Sequence, residues 1–401
     1  MECIHRWRDA CIDMVSALQT ILMRNSQLMR RELAIIPVQT KKELKQFILL
    51  PWKIYRNDKN WVPPLISERR DFLNPEKNPF FAHAEVKLFL ARQGKEIVGR
   101  IAAIVNDLHI QTHNERVGFF GLFECIDDFE VARILLDSAK DWLKSKGMEK
   151  FRGPADFSSN DQWGFLLEGF DSPPAFLMPY SPKYYLEFME KYGLKKAKDL
   201  YAYRMDTDER PPERIYKVAE RIKKKENLVI RKVDLDDFEN EVKKIREIYN
   251  QAWSRNWGAI PMTDEEFSHM AKDMKQFVDR DLVFIAEVDG QPAGFSLALP
   301  DLNEALIRIN GRLFPFGLFK LLYYVKRIKN VRLITMGVIH KYQKRGIDTI
   351  FYTETFDNGV KKGYNGGELS WVLEDNVLMN KAIGLMNTRL YKKYRVYEGE
   401  I

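Results

Sequence analysis

A strand that leads into a cationic, glycine-containing turn and then into a helix constrains this chain more than any other feature. Residues 331–339, VRLITMGVI, are typical of a buried strand, and from Ile347 onward the apolar positions recur at helical spacing. The turn between them, HKYQKRGID, is rich in basic side chains and has no acid before Asp348. Because the first N–H groups of a helix lack partners within the helix and attract anions, the stretch predicts an α/β fold with an anion-binding turn.

The order of elements around this turn occurs twice along the 401 residues. The sequence pattern of each half predicts a β-hairpin, a strand, a helix, a strand, a second helix and a last strand. The hairpin turns are expected at Gly94-Lys95 and Asp289-Gly290. The repetition predicts a mixed α/β sheet repeated in tandem, and one large α/β domain is the alternative. The expected parts are an N-terminal helical extension at residues 1–28, a first domain at 32–206, a linker with a basic helix at 207–229, and a second domain at 230–401.

Composition argues against several classes of protein. With 45% hydrophobic and 12% aromatic residues, the chain has enough apolar side chains for complete cores. Its three cysteines, Cys3, Cys11 and Cys125, show neither metal-ligand spacing nor an even disulfide set, and its six histidines form no paired motif. No apolar run in the sequence has the length of a membrane span. A cytoplasmic protein without a metal is therefore expected.

The charges are unevenly distributed. The net charge is +7, yet the 43 residues between Glu304 and Asp348 contain no acid. This span carries ten basic residues: Arg308, Arg312, Lys320, Lys326, Arg327, Lys329, Arg332, Lys341, Lys344 and Arg345. Because solvated surfaces normally mix the two signs of charge, the span predicts a polyanionic ligand, an anionic membrane surface, or both.

The turn also carries a resemblance to a known family. Residues 343–348, QKRGID, resemble the Gln/Arg-x-x-Gly-x-Gly/Ala turn of the GNAT acyl-CoA N-acyltransferases, and the whole chain resembles the bacterial tandem-GNAT proteins. The resemblance implies two tandem domains of the acyl-CoA N-acyltransferase fold, acetyl-CoA or a longer acyl-CoA as co-substrate, and an amine acceptor. The residues that it implies for binding the pantetheine arm and pyrophosphate of CoA are Gly337, Val338, Gln343, Lys344, Arg345, Gly346, Ile347 and Asn376.

Other segments carry the same resemblance. GGELSWVLEDN, residues 366–376, resembles the splayed strand that leaves a V-shaped gap for the thioester in GNAT proteins. YNQAWSRNWGAIPMTDEEF, LALPDLNEAL and NGRLFPFG resemble a subgroup to which a bacterial ceramide-synthase-like N-acyltransferase is related. The first half lacks the turn, because the acids of DDFEVA follow its strand. The resemblance therefore implies a first domain that binds no CoA and walls the acceptor cleft.

Two positions depart from the family pattern. Asp348 replaces the last Gly/Ala of the turn, where it either lies beside the phosphate site or points away along the helix. Ile383 stands where many GNAT proteins have the tyrosine that protonates the leaving thiolate. Tyr391 is the predicted substitute acid, and Tyr394 is the alternative.

Acyl transfer to an amine also needs a group that accepts the amine proton. Glu374, at the end of the strand ELSWVLE, is predicted as this base or, equally, as a first-turn acid of the next helix. Glu368 is expected to be an exposed residue without a catalytic role. Trp371, on the other face of the strand, is a predicted contact of the acceptor.

Aromatic and amide side chains in two further segments complete the predicted acceptor site. In residues 154–174, PADFSSNDQWGFLLEGFDSPP, Asn160 and Trp163 suit a binding loop, although structural turns use the same residue types. Trp253, Asn256 and Trp257 recur at near-helical spacing in YNQAWSRNWGAIP, where a core stripe is the alternative.

Residues 310–330, NGRLFPFGLFKLLYYVKRIKN, form an insertion between two predicted strands. One helical face of this insertion carries Leu318, Leu321, Leu322, Val325 and Ile328. Basic residues flank that face, which is typical of a helix lying in a membrane interface. A helix packed on the other domain is the alternative.

Together the patterns predict an N-acyltransferase that moves an acyl group from acyl-CoA to an amine by direct attack, with a long-chain or lipid-like substrate presented at the inner membrane face. A degenerate GNAT-like binding or scaffold protein and an acetyltransferase for small polar amines are the alternatives. Nucleic acid is not an expected partner, because the aromatic residues of the basic span lie among Leu, Val and Ile rather than among polar residues.

Overall fold

The computed structural model describes residues 33–225 and 227–401. Its first half contains, in chain order, β1 (Leu33–Pro37), α1 (Lys41–Leu49), α2 (Pro51–Ile54), α3 (Ile66–Phe72), β2 (Ala84–Gln93), β3 (Glu96–Asn106), α4 (Asp107–His113), β4 (Val117–Cys125), α5 (Phe129–Ser145), β5 (Lys150–Gly153), β6 (Phe165–Glu168), α6 (Tyr184–Tyr192) and β7 (Lys195–Asp206). The predicted helical extension at residues 1–28, with Cys3 and Cys11, lies outside the described residues.

The second half repeats this plan with a longer set of helices. It contains α7 (Glu213–Lys225), β8 (Leu228–Lys232), α8 (Phe238–Trp253), α9 (Asp264–Lys275), β9 (Val283–Val288), β10 (Gln291–Pro300), α10 (Asn303–Leu306), α11 (Gly317–Val325), β11 (Asn330–Val338), α12 (Ile347–Lys361), β12 (Gly366–Leu373), α13 (Val377–Gly384) and β13 (Arg389–Glu400). The hairpin turns fall at the predicted positions, between β2 and β3 and between β9 and β10.

The strands of the described residues form one mixed sheet in the order β1-β2-β3-β4-β5-β13-β7-β12-β11-β10-β9-β8, with β6 paired to β13. Two neighbouring pairs are parallel, β4 with β5 and β11 with β12. A helix crosses over between the strands of each pair, α5 in the first half and α12 in the second. The predicted mixed α/β fold, with the same plan in both halves, is confirmed.

The last strand of each half pairs with the other half. β7 pairs antiparallel with β12 of the second half, and β13 pairs antiparallel with β5 and β6 of the first half. β7 and β13 also pair with each other at the centre of the sheet. The halves therefore share one hydrogen-bonded sheet, and the boundaries drawn from the sequence at residues 206 and 230 stay a prediction.

Amphipathic helices cover the sheet and form its cores. In α5, Val131, Leu135, Ala139 and Leu143 recur at helical spacing and are fully buried against the first half of the sheet. A fully buried leucine contributes about 2 kcal/mol to folding. In the second half, α12 buries Ile347, Ile350 and Phe351 in the equivalent way. Because this packing holds both helices against the sheet, it also holds the turns that lead from β4 into α5 and from β11 into α12.

Candidate active site

The parallel strands β11 and β12 part to form a gap. They pair from Asn330 with Gly366 to Leu333 with Leu369, and beyond this point no pairing between them continues. The parted ends, residues 334–338 and 370–373, line a cavity of about 1150 Å³ that also takes lining residues from the first half. The gap has the V shape that the sequence resemblance implies for the thioester.

The turn after β11 leaves the N-terminus of α12 without a side-chain cap. Gly346 is the N-cap residue with a φ of 82°, and Lys344 has a φ of 63°. A Cβ atom on Gly346 would lie 2.3 Å from Ile222 Cδ1, the mobile end of a side chain, so it is the left-handed backbone angle that favours glycine here. Gln343 Nε2 donates to the carbonyl oxygen of Val338 at 3.0 Å and closes the turn. The helix N-terminus can therefore present N–H groups and positive dipole to an anion.

Asp348 is half-buried in the first turn of α12. Burial raises the pKa of its carboxyl group, and the backbone N–H groups of Thr349 and of Asp348 itself act against that rise. The carboxylate thus takes part of the donor capacity at this N-terminus. At this position the helix dipole offsets part of the cost of burying the carboxylate.

A pair of stacked rings connects the gap with the first half of the chain. A Cβ atom on Gly337 would lie 2.1 Å from Trp253 Cζ3, so the indole packs directly on the strand backbone. The ring centroids of Trp253 and Tyr249 are 4.6 Å apart with nearly parallel planes. Tyr249 Oη donates to Asn160 Oδ1 at 2.7 Å. Asn160 and Trp253, predicted separately from sequence, are therefore brought to one site.

The remaining predicted acceptor residues also line the cavity. Trp163 of the first half and Trp257 of the second have ring centroids 5.4 Å apart. Asn256 and Trp371 contribute further lining from the second half. Helix α8 ends at Trp253, so Asn256 and Trp257 do not continue its stripe and instead lie in the following loop. These four predicted acceptor residues therefore line one pocket that both halves share.

The predicted CoA residues divide into two groups. Gly337, Val338, Gln343 and Asn376 line the cavity. Residues 344–347 form the turn and the start of α12 and do not contribute to the lining. Asn376 also caps α13, because its side chain accepts the N–H of Met379 at 3.2 Å. The cavity lining thus includes the strand and the first residue of the turn but not the helix N-terminus that follows.

Glu374 does not line the cavity. Its carboxylate accepts a hydrogen bond from Lys196 Nζ at 2.6 Å and from the backbone N–H of Asp199 at 3.0 Å. These partners occupy both oxygens and tie β12 to β7. The role of Glu374 as general base stays a prediction that this geometry does not favour.

A buried polar cluster lies where β11 and β12 begin to part. Glu368 is only 2% exposed, Arg332 is 4% exposed, and Arg332 Nε lies 3.6 Å from Glu368 Oε1. Ser370 Oγ and Tyr391 Oη both donate to the Glu368 carboxylate, and Arg332 Nε donates to Ser370 Oγ at 3.0 Å. Burial and the neighbouring carboxylate raise the pKa of Tyr391. Arg332 and Ser370 open this cluster to the cavity.

One expectation is wrong here. The sequence predicts an exposed Glu368, but Glu368 is buried inside the sheet, where its charge and that of Arg332 compensate each other. Burying either charge alone would cost free energy, so Arg332 and Glu368 are buried as a pair. The parallel register aligns Arg332 with Glu368. Opposite charges at aligned positions of two predicted apolar strands are the signal that would have identified this pair.

Comparison with known proteins gives the family. No family model matches the chain. The bacterial ceramide synthase of Caulobacter vibrioides (strain NA1000 / CB15N) is 42% identical over 377 residues, which cover 92% of this chain and 97% of that protein. Protein YghO of Escherichia coli (strain K12) is 37% identical over 368 residues, covering 90% and 94%. The chain belongs to the family of these two proteins.

Solved structures show which fold this family has. A tandem GNAT protein from the clavulanic acid biosynthesis pathway matches with a TM-score of 0.54 at 10% identity and covers 92% of this chain and 98% of its own. A GCN5-related N-acetyltransferase from Sphaerobacter thermophilus matches with a TM-score of 0.50 at 12% identity, covering 92% and 95%. The tandem-GNAT acyltransferase fold implied by the sequence is confirmed.

This member of the family has an exposed apolar surface beside the cavity, which we call the aromatic ridge: residues 312–329. Phe314 is 83% exposed and Phe319 is 71% exposed, and Phe316, Leu322 and Tyr323 are also exposed. Leu321 lines the cavity, whereas Ile328 is buried. The ridge therefore has a packed edge and an exposed face, and membrane binding by that face stays a prediction. Within the described residues no helix has the length and apolar character needed to cross a membrane.

Proposed function

We propose that this chain is an acyl-CoA-dependent N-acyltransferase whose acceptor is a long-chain, lipid-like amine. The observation that carries the proposal is the parted strand pair β11–β12, which opens into a large cavity directly before an uncapped, cationic helix N-terminus. The family relative named bacterial ceramide synthase supports a lipid amine as acceptor, since a ceramide is an N-acylated long-chain amine.

The turn before α12 would hold the pyrophosphate of CoA, and strand β11 would hold its pantetheine arm. The backbone N–H groups at Gly346 and Ile347 suit the pyrophosphate, and the exposed side chains of Lys344 and Arg345 add positive charge on the same turn. The edge of β11 at Gly337 and Val338 faces the gap and suits the pantetheine arm. Asn376 lies on the opposite strand's side of the gap, at the start of α13.

The chemistry follows as direct attack. The acceptor nitrogen forms a bond to the thioester carbonyl carbon, the C–S bond breaks, one proton leaves the nitrogen and one is taken up by the thiolate. Cys125, the cysteine among the described residues, is buried in β4 of the first half, and burial raises the pKa of its thiol. Such a thiol is a poor nucleophile, which favours attack without an acyl-enzyme.

The buried polar cluster would orient groups at the gap. Tyr391, the predicted acid, and Ser370 both donate to the Glu368 carboxylate, so these hydrogen bonds do not run from the phenol toward the cavity. The raised pKa of Tyr391 keeps the phenol protonated at neutral pH and makes it a weak proton donor, so its role as the acid stays a prediction that this geometry does not favour. Ser370 lines the cavity and is the hydroxyl of this cluster that reaches the gap where the thiolate would form.

The aromatic ridge would bring the chain to the lipid substrate. Exposed phenylalanine and leucine side chains gain free energy in a bilayer interface, and the basic residues of the ridge suit anionic lipid. Leu321 connects this surface with the cavity. We therefore expect peripheral association with an anionic membrane surface, and a cytoplasmic location at the inner membrane face.

The test is an acyl-transfer assay with palmitoyl-CoA and a long-chain primary amine. Release of CoA thiol should require the amine, an N-acylamide should be detected by mass spectrometry, and the intact protein should keep its unmodified mass. Acetyl-CoA with a small polar amine serves as the comparison, and faster turnover of that pair would contradict the lipid acceptor. If neither donor binds in calorimetry, the chain is a degenerate binding protein, as Asp348 would favour.

A further inference from the structure

Helix α9 is a wall of the cavity with a small core of its own. Its residues Phe267, Met270 and Met274 line the cavity. The core beneath it contains the buried Val242, Met262 and Phe267 and is separate from the larger cores that cover the sheet. Elements with few buried apolar contacts open at a low free energy. Contacts with the first half therefore have a large share in holding α9.

One such contact joins His83 of the first half to Glu266 of α9. His83 Nε2 lies 3.0 Å from Glu266 Oε1, and both side chains are largely buried. His83 Nδ1 lies 3.2 Å from Asn106 Oδ1. The second oxygen of Glu266 accepts the N–H of Thr263 at 2.9 Å and completes the capping box of α9. The imidazole therefore lies between two oxygen acceptors, one from each half of the chain.

These surroundings require a doubly protonated His83. Asn106 Oδ1 also accepts the N–H of Leu108 at 3.0 Å and that of His109 at 3.2 Å, so the amide cannot be turned to offer its NH2 group. An amide oxygen and a carboxylate can only accept. In either neutral tautomer of His83, a nitrogen lone pair would face one of these oxygens. The imidazolium form satisfies both.

We propose that His83, as an imidazolium, is a positioning residue that holds α9 against the first half and releases it on losing a proton. Deprotonation leaves the buried Glu266 carboxylate without its cationic partner and removes one of the two hydrogen bonds of the ring. Helix α9 then separates more readily from residues 79–82, on which it packs. The cavity opens at this wall, whichever ligand it binds.

The pH dependence of this contact has a defined sign. The hydrogen bond to Glu266 raises the pKa of His83. Burial acts to raise the pKa of Glu266, but the hydrogen bonds from His83 and Thr263 outweigh burial and lower that pKa. The contact is therefore complete between these two pKa values, and it is lost as the pH rises through the raised pKa of His83.

The neighbouring titratable groups of the first half do not supply the positive charge. Burial lowers the pKa of His109, which follows Asn106 on α4, to about 3, so the His109 ring is neutral. Glu85 and Asp107, the acids nearest to His83 and Asn106 in the sequence, are exposed to solvent. The imidazolium of His83 therefore carries the charge that faces Glu266.

A carboxylate in the loop between β5 and β6 titrates in a similar pH range. Burial raises the pKa of Asp161 to about 7, the charges of Asp156 and Glu266 add to the rise, and the charge of Arg69 opposes it. Ionised Asp161 would repel Glu266 and would also loosen α9 at high pH. An Asp161→Asn variant separates this effect from that of His83.

Hydrogen exchange of the full chain, measured by mass spectrometry at pH 5.5 and pH 8.5 and corrected for intrinsic rates, tests the hold on α9. In the wild type, opening of residues 264–275 should increase at least tenfold at the higher pH. Glu266→Gln keeps an acceptor for the capping box but no charge, so α9 should already be open at pH 5.5 and change less than threefold.

Two control variants should keep the tenfold change. Asp161→Asn removes the other carboxylate that titrates in this range. His113→Gln alters a second contact between the halves, in which His113 Nε2 donates to the carbonyl oxygen of Ala259 at 2.8 Å. That bond needs a single N–H and no positive charge, so its loss should not change the pH dependence.

NMR titration of 13C-labelled histidine, with His83→Gln to assign the signal, measures the proton affinity of His83 directly. It should exceed that of an ordinary histidine and fall at least tenfold in Glu266→Gln. An ordinary proton affinity, or equal opening of α9 at both pH values in the wild type, would overturn the role of His83. So would a pH dependence that disappears in Asp161→Asn but persists in Glu266→Gln. Neither measurement uses acyl-CoA or an amine, so a failure of acyl transfer does not affect the result, and urea denaturation at pH 5.5 confirms that each variant folds.

Discussion

The two parallel strand pairs of this molecule are built alike but differ in the turn that follows the first strand of each. After β4, the side chain of Asp128 caps α5 by accepting the N–H of Glu130 at 2.9 Å. After β11, the equivalent residue before α12 is Gly346, which has no side chain to offer. In the first half the protein itself supplies the anion at the helix N-terminus, whereas in the second half no N-cap side chain occupies that position, which is where we propose that the pyrophosphate binds.

The gap between the two parallel strands is likewise occupied by the protein in the first half and open in the second. In the first half, a Cβ atom on Gly121 would lie 1.7 Å from the carbonyl oxygen of Ala155, so the loop between β5 and β6, residues 154–164, passes directly against β4. The N–H of Ala155 also donates to the carbonyl oxygen of Phe120 at 2.8 Å. In the second half the corresponding gap is part of the cavity. The same strand–turn–helix arrangement therefore has an occupied gap in the first half and an open cavity in the second.

The largest expected effect is on CoA binding. Gly346→Ala should weaken the affinity for CoA about tenfold, or about 1.4 kcal/mol, because a Cβ atom strains the left-handed backbone of the turn. Isothermal titration calorimetry measures this change. Gly363→Ala is the matched control, since Gly363 has a φ of 81° after the other end of α12 and open space around its Cα. Equal loss of affinity in both variants would mean that helix stability, rather than the turn, controls binding.

Much of this comparison could be predicted from the sequence, because local rules govern it. The QKRGID turn, the acids after β4 and the hairpin turns at Gly94 and Gly290 are contiguous motifs whose geometry depends on neighbouring residues. The exchange of β7 and β13 could not be predicted, since strands of similar pattern can pair with either half. The Arg332–Glu368 pair lies within the second half and was missed for a different reason, because the two residues are aligned only by the register between β11 and β12.

A second expected effect concerns the connection between the second hairpin strand and the parallel strand of each half. In the first half this connection holds only the short helix α4, whereas in the second half it contains the aromatic ridge. Trp52 Nε1 donates to Asn310 Oδ1 at 2.9 Å and anchors the base of the ridge on the first half, so its exposed side chains are held outward. The ridge should bind anionic membranes.

Flotation with liposomes containing anionic lipid tests this expectation. Wild-type protein should float with the liposomes at low salt, and changing Phe316, Phe319 and Leu322 together to Ser should lower the bound fraction on the order of tenfold. Changing the exposed Val229 and Val360 to Ser removes apolar surface elsewhere and should not alter flotation. A wild-type protein that stays entirely in the soluble fraction would show that the ridge is not a membrane-binding surface.

The smallest expected effect concerns the N-cap of α5. It tests whether this cap, or the loop between β5 and β6, keeps CoA out of the first half. Asp128→Ala should lower the free energy of unfolding by about 1 kcal/mol, the usual cost of losing an N-cap, as measured by urea denaturation. Asp127→Ala removes the neighbouring acid, which does not cap α5, and should leave stability within about 0.5 kcal/mol of wild type. Calorimetry should find one CoA bound per chain in both variants, because the loop between β5 and β6 still occupies the gap beside Gly121. Two CoA molecules bound to Asp128→Ala would show that the carboxylate alone closes the first site.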